Sequence, residues 1–144
     1  MTVTLRPVEP ADLPVFFEHQ NDPVACERVG WTPRDRASFD AHWARIMAGP
    51  DNLLRTVVVD GAVAGNVVSW TNGDRRDLGY WLGREFWGRG VGRLAVEAYL
   101  DVERQRPLYA EPLATNAASV AVLRRCGFVE AGRDGDYLVF VREA

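Results

Sequence analysis

Two hydrophobic periods alternate along the chain, and the switches between them mark its elements. TVTLRPV, Thr2–Val8, alternates apolar and polar side chains and predicts a first strand. EPADLPVFFEHQND then predicts a helix opened at Pro10 or Ala11, with Leu13, Phe16 and Phe17 as its apolar stripe. A second helix is expected over TPRDRASFDAHWARIMAG. Thr32 would cap it, Pro33 suits its first position, Phe39, Trp43, Ile46 and Met47 mark one face, and Gly49 ends it. LLRTVVVDGAVAGNVVSW reads as a hairpin turning at Asp60-Gly61, a pair suited to a two-residue turn. RRDLGYWLG is a further strand, reached across the turn TNGD.

Helical spacing returns in GVGRLAVEAYLDVERQ. Val91, Leu94, Ala95, Ala98 and Val102 recur on one side, Arg93, Glu97, Asp101 and Arg104 lie on the other, and Pro107 stops the helix. PLYAEPLA is a short strand interrupted by Pro112, which has no N–H to give to a neighbour. NAASVAVLRRCGF is a helix capped by Asn116 and closed by Gly127. FVEAGRDGDYLVFV is a second hairpin, around Asp134-Gly135. The order β, α, α, β, β, β, α, β, α, β, β implies an α/β (α+β) fold: a mixed, mostly antiparallel central sheet with helices on both faces. One strand–helix–strand stretch reads as a parallel crossover.

Composition narrows the partners. The 144 residues, 47% hydrophobic and 26% charged, suit one globular domain spanning residues 1–144. No apolar run approaches the ~20 residues that cross a bilayer, and the N-terminus lacks the basic and apolar regions of a signal peptide. A net charge of −3 argues against nucleic acid, which needs a basic face, and suits an amine partner. Cys26 and Cys126 match no metal-ligand spacing and read as free thiols of a reducing cytoplasm. The sequence leaves the oligomeric state open between monomer and homodimer.

WGRGVGR, Trp87–Arg93, stands where a strand gives way to a helix. The first N–H groups of a helix have no internal partner and lie at the positive end of its dipole. Glycines let a bulky anion approach them, and Arg84, Arg89 and Arg93 add charge, so the stretch suits phosphate or pyrophosphate. A Walker A loop would require Lys-Ser or Lys-Thr where Arg89-Gly90 stands. A dinucleotide fingerprint would require a third glycine where Arg93 stands, although Glu111 lies about 20 residues on, where a ribose acid belongs.

GYWLGREFWGRGVGRLAVEAYL, followed by NAASVAVLRRCGF, resembles the GNAT N-acetyltransferases, and within them the branch of ribosomal-protein N-terminal acetyltransferases of the RimJ/RimL type. Trp87 occupies that family's Gln/Arg position, with Arg84 or Arg89 as substitutes for the lost side-chain donor. The resemblance implies acetyl-coenzyme A as cosubstrate, with no metal. Main-chain N–H groups of Trp87, Gly88, Arg89, Gly90, Val91 and Gly92, with Arg93, would hold its pyrophosphate. Strand Asp77–Leu82 would pair with the pantetheine arm and splay from Pro107–Leu113 to leave a gap for the acetyl group. Asn116 would touch the pantetheine arm, and Arg124 or Arg125 the 3′-phosphate. The implied acceptor is a primary amine, on a small molecule or a protein N-terminus.

Amine attack on a thioester needs a neutral amine, a stabilised oxyanion and a proton for the leaving thiolate. Main-chain N–H groups near Tyr80, Trp81 and Leu82 suit the oxyanion. Asp77 and Glu111 are the candidate bases. The family's tyrosine acid falls at Leu123, so Ser119, in the first turn of the last helix, is the candidate acid, with a capping hydroxyl as its alternative role. His19 lies in the region that lines the acceptor site in this family, and Trp31, Trp70, Trp81 and Trp87 are candidate pocket aromatics. A non-catalytic acyl-coenzyme A-binding module is the alternative from another class.

Overall fold

The computed structural model describes residues 1–144. The elements run β1 (Val3–Pro7), α1 (Leu13–Gln20), α2 (Pro23–Val29), α3 (Arg36–Ala48), β2 (Leu53–Val59), β3 (Ala62–Asn72), β4 (Arg75–Leu82), α4 (Val91–Val102), β5 (Leu108–Ala110), α5 (Ala117–Arg125), β6 (Val129–Asp134) and β7 (Tyr137–Arg142). Short 3₁₀ turns at Pro10–Asp12 and Arg84–Phe86 precede α1 and α4. The strands form one sheet, ordered β1-β2-β3-β4-β5-β7-β6. Every neighbouring pair is antiparallel except β4–β5, which α4 joins as a parallel crossover. This is the mixed, mostly antiparallel architecture expected from the sequence. No helix is long and apolar enough to cross a membrane.

Three local expectations are corrected. Helix α2 falls where a loop was expected between the first two helices: Asp22 accepts from the Val24 N–H at 3.0 Å, Pro23 opens the first turn, and Gly30 ends it at φ +67°. The next helix begins at Arg36 rather than after Thr32. Asp35 reaches its free amides, accepting from the Ser38 N–H at 2.7 Å. On α4 the buried row is Val91, Gly92, Ala95, Val96, Tyr99 and Leu100, while Leu94 and Val102 are 37% and 41% exposed. The helix is rotated from the expected face because it packs on the sheet and on α5 together. There Gly92 stands close to its neighbours: a Cβ would lie 3.4 Å from Val122 and 3.6 Å from Leu82.

The sheet separates two apolar layers. Phe16, Phe39 and Trp43 pack under Leu54, Val63 and Val68 on the α1–α3 face. The larger cluster, including Val57, Val67, Leu78, Val96, Tyr99 and Phe140, lies under α4 and α5. A buried carboxylate ties α1 to the sheet. Asp12 accepts from both Arg6 guanidinium nitrogens at 2.8 Å, from the Thr56 hydroxyl at 2.7 Å and from the Glu9 N–H at 2.9 Å. Burial works to raise this carboxyl, but the donors outweigh it and hold it below its ordinary value.

A second buried pair closes the crossover. Arg76, at the base of β4, donates through Nε to Glu103 at 2.9 Å, and Glu103 follows the last turn of α4. Ser69 donates to the same carboxylate, Arg76 also donates to the Asp51 carbonyl at 2.7 Å, and the Tyr99 hydroxyl donates to the Leu53 carbonyl at 2.7 Å. Burial would raise the Glu103 carboxyl, but Ser69, the Gln105 N–H and Arg76 together lower it below 4.5. Breaking such a pair strands a charge. Arg76→Met is expected to lower stability by about 3 kcal/mol, read from denaturant midpoints. Because the folded carboxyl is depressed, the contribution of Glu103 is complete above its unfolded value and is lost as pH falls through the folded one. The stability gap between wild type and Glu103→Gln should therefore close on acidification through that range.

Candidate functional site

β4 and β5 pair at only two positions, Arg76↔Leu108 and Asp77↔Tyr109. Beyond Ala110 the chain follows β7 instead. Leu138 donates to the Pro112 carbonyl at 2.9 Å, and Leu113 bridges Tyr137. The β5-facing edge of β4 from Leu78 to Leu82 is thus left without a strand partner; alternate residues, Leu78, Tyr80 and Leu82, turn their main-chain groups to it, and the Leu82 carbonyl accepts from the Trp87 indole at 3.2 Å. On the other side β3 follows β4 through Leu82 because Gly65 has no side chain. A Cβ there would meet Leu82 Cα at 2.9 Å and the Trp81 carbonyl closer still.

A cleft of about 560 Å³ opens from this gap along α4 and α5. Tyr80, Trp81, Leu82, Trp87, Gly88, Gly90, Val91, Gly92, Arg93, Asn116 and Ser119 line it, so most of the residues named for the cosubstrate come together in one place. Arg84 and Arg89 do not join them. Arg84 pairs with Asp22 at 3.0 Å, and Arg89 lies over the Phe86 ring at 5.7 Å. Of the two helix arginines, Arg125 lines the cleft, whereas Arg124 pairs with Glu130 at 3.2 Å.

The mouth of the cleft fits a diphosphate. No side chain caps α4, unlike α2, α3 and α5, which Asp22, Asp35 and Asn116 cap. Its first N–H groups lie at the positive end of a twelve-residue helix. Gly88 and Gly90 take φ +70° and +76°, and a Cβ built on either meets no atom within 4 Å, so the loop presents bare main chain to open space. Arg28, Arg93 and Arg125 line the cleft and no carboxylate does.

The three residues named for catalysis fall on two faces of the sheet. Side chains alternate along β4, so Tyr80 points toward α5 while Asp77 and Trp81 point toward the α1–α3 face. The Tyr80 hydroxyl donates to Ser119 Oγ at 3.0 Å, and the Ser119 N–H donates to Asn116 Oδ1 at 3.3 Å. Burial raises the Tyr80 phenol, with the Ser119 hydrogen bond acting the other way, so it stays protonated at neutral pH. Sequence reasoning assigned Tyr80 only a main-chain role, because nothing local pairs position 80 with position 119.

Asp77 and Glu111 lie outside the lining of the cleft, joined by one arginine. Arg75 is 3.2 Å from Asp77 and 3.3 Å from Glu111, and sits 4.1 Å over the Tyr109 ring. Asn72 donates to Asp77 Oδ2 at 2.9 Å, whereas the buried Oδ1 makes no hydrogen bond and has the Arg75 ion pair as its contact. Trp70 covers Gly79 on this face at 3.4 Å from a Cβ position, and Trp31 meets Trp81 edge-on at 6.2 Å. The Trp81 indole donates to the His19 carbonyl at 3.1 Å. His19 itself wedges against Gly83, and burial, opposed by Glu85, Glu18 and Asp22, lowers its imidazole below 6.5. It is therefore neutral at pH 7 and lies beside the cleft as a packed ring.

A sheet parted between its two parallel strands, with a bare helix N-terminus at the mouth of the gap, defines an α/β domain of the acyl-transferring class. Residues 2–129 match the family described as Acetyltransferase (GNAT) domain, and the chain belongs to that family. It is an acetyltransferase domain. It is 26% identical over 149 residues to the protein named Uncharacterized N-acetyltransferase p20 from Bacillus licheniformis, covering 94% of this chain and 83% of that one. Among solved structures, an aminoglycoside acetyltransferase in complex with coenzyme A superposes with a TM-score of 0.82 at 18% identity, over 99% of this chain and 95% of that one. A spermidine N-acetyltransferase from Vibrio cholerae, in complex with coenzyme A and spermine, gives 0.80 at 18% identity, over 96% and 92%.

The mouth yields a direct prediction. Gly90→Asp should fold, since its Cβ enters open space and Asp tolerates a left-handed backbone better than most residues. It places a carboxylate at the bare α4 mouth, where a diphosphate would be repelled. Coenzyme A affinity measured by calorimetry should fall by at least about tenfold, roughly 1.4 kcal/mol.

Proposed function

We propose that residues 1–144 form one acetyl-coenzyme A-dependent N-acetyltransferase, which transfers acetyl to a primary amine by direct attack in a ternary complex. The observation that carries this reading is the cleft itself: one continuous path joins the bare α4 N-terminus to the unpaired edge of β4. Acetyl-coenzyme A supplies the acetyl group as a thioester. The α4 mouth holds the diphosphate, Arg125 the 3′-phosphate, and Asn116 with the free edge of β4 the pantetheine arm. A thioester carbonyl drawn into the gap faces main-chain N–H groups of Tyr80–Leu82, which stabilise the developing oxyanion.

The two faces divide the proton work. Asp77 takes the amine's proton, directly or through water, through Oδ1, which Arg75 meets as an ion pair and which makes no hydrogen bond. Glu111 and Arg75 then hold the approach to it. On the opposite face Ser119 gives its hydroxyl proton to the departing thiolate, and Tyr80, which already donates to Ser119, replaces that proton and regains its own from water in the cleft as product leaves. Ser119 at the head of α5, with Leu123 in place of a tyrosine, supports the RimJ/RimL-like branch and hence protein N-termini among the acceptors. The spermine and aminoglycoside names of the structural relatives extend the range to small polyamines. Two carboxylates against one arginine leave the acceptor side net negative, which favours a cationic amine over an acidic one.

The test is release of free thiol from acetyl-coenzyme A in the presence of N-terminal peptides, polyamines and aminoglycosides. Turnover with at least one class is expected. Coenzyme A binding without turnover across the panel would make the chain a binding module. Asp77→Asn should lower kcat about a hundredfold, while Glu111→Gln costs much less. Ser119→Ala and Tyr80→Phe should each lower kcat roughly tenfold. Members of one relay are non-additive, so the double variant should be little worse than either.

A further inference from the structure

Trp87 stands where the family resemblance places a polar Gln or Arg, and neither Arg84, which pairs with Asp22, nor Arg89 lines the cleft. The structure brings a different cation to that spot. Arg28, near the end of α2, lays its guanidinium 4.1 Å from the centre of the Trp87 ring and lines the same cleft as Gly88 and Gly90. It has no carboxylate within salt-bridge distance, although it is an exposed arginine on a protein of net negative charge. An aromatic face holds a guanidinium without consuming its N–H groups, because the attraction is to the ring's quadrupole and the five donors stay at the edge of the plane. The cation is therefore fixed in place and free to bind an anion.

We infer that Arg28 is a diphosphate-binding residue for coenzyme A, contributed by α2 and positioned by Trp87. This rests on the cosubstrate reading above. The helix that carries it is anchored at its other end by the Arg84–Asp22 pair at the start of the same loop region, so α2 and the loop before α4 are joined twice. A guanidinium that forks onto phosphate oxygens from the α2 side faces the α4 amides across the diphosphate.

The test is calorimetric binding of coenzyme A and of dephospho-coenzyme A to wild type, Arg28→Ala and Arg28→Lys, with turnover of S-acetylpantetheine as a third arm. Arg28→Ala should fold with an unchanged thermal midpoint, because the side chain is exposed. Its affinity for coenzyme A should fall about tenfold, and equally for the dephospho form, as expected for loss of one charge-assisted interaction. Arg28→Lys should recover only part of the loss, since an ammonium cannot fork. Turnover of S-acetylpantetheine, which has no diphosphate, should be unaffected. Affinity of Arg28→Ala within twofold of wild type would overturn the assignment. So would a loss confined to the form bearing the 3′-phosphate, or one that extends to the pantetheine thioester. Wild type that binds no coenzyme A would overturn the functional reading itself, a result distinct from wild-type binding that ignores Arg28.

Discussion

The buried pair of Arg76 and Glu103 is the pin on which the rest of the site turns. Arg76 sits at one of the two registers where β4 and β5 still pair, and Glu103 ends the helix that joins them. The crossover is therefore clamped at one end. Ser69, Tyr99 and the carbonyls of Asp51 and Leu53 spread the clamp over β3, the start of β2 and α4. A strand held at its base and denied a partner further on can diverge without unravelling. The gap between β4 and β5 is thus a built feature: stiff where it closes, open where chemistry requires room. The unpaired strand edge leaves hydrogen-bonding groups that the proposed pantetheine arm would satisfy.

Divergence alone would give only a groove. What turns it into a cleft with a direction is the placement of α4. Gly92 lets that helix settle close to Val122 and Leu82, so its N-terminus opens beside the free end of β4. The positive mouth, the unpaired edge and Ser119 then lie along one line. The Arg75-bridged carboxylates sit on the other face of the same strand. Alternation of side chains along β4 is enough to separate the two proposed proton-transfer groups, because the strand that parts the sheet carries Tyr80 to one side and Asp77 to the other.

Sequence made legible whatever is local. The Asp60-Gly61 hairpin, the α5 helix with its Asn116 cap and Gly127 end, and the glycine loop before α4 all announce themselves within a few residues. Asp22-Pro23 and Gly30 carried the same kind of signal for α2, and were passed over because seven residues are too few for apolar periodicity to register. The start of α3 shows the limit of cap rules: Thr32 and Asp35 are both acceptable caps, and only the folded backbone decides that Asp35 meets the Ser38 amide. The α4 face was misread because periodicity finds an apolar stripe without saying how many neighbours share the helix. Contacts across the fold, Tyr80 with Ser119 and Arg75 with Glu111, span 39 and 36 positions and have no trace in any short window.

Trp87 shows how such long-range contacts can alter the meaning of a motif. Taken alone, a tryptophan in a phosphate-binding loop is a lost donor. Packed against Arg28 it becomes a platform, exchanging one polar side chain within the loop for a cation delivered from another helix. The exchange changes more than which atom meets the anion. A donor within the loop serves the loop alone, whereas on the proposed reading a donor on α2 ties the diphosphate to a helix whose same end, at Gly30 and the adjoining Trp31, borders Leu113 and Trp81. On the proposed reading, an anion between the α4 N-terminus and Arg28 would meet positive groups from two separate helices, whose mutual repulsion its charge relieves.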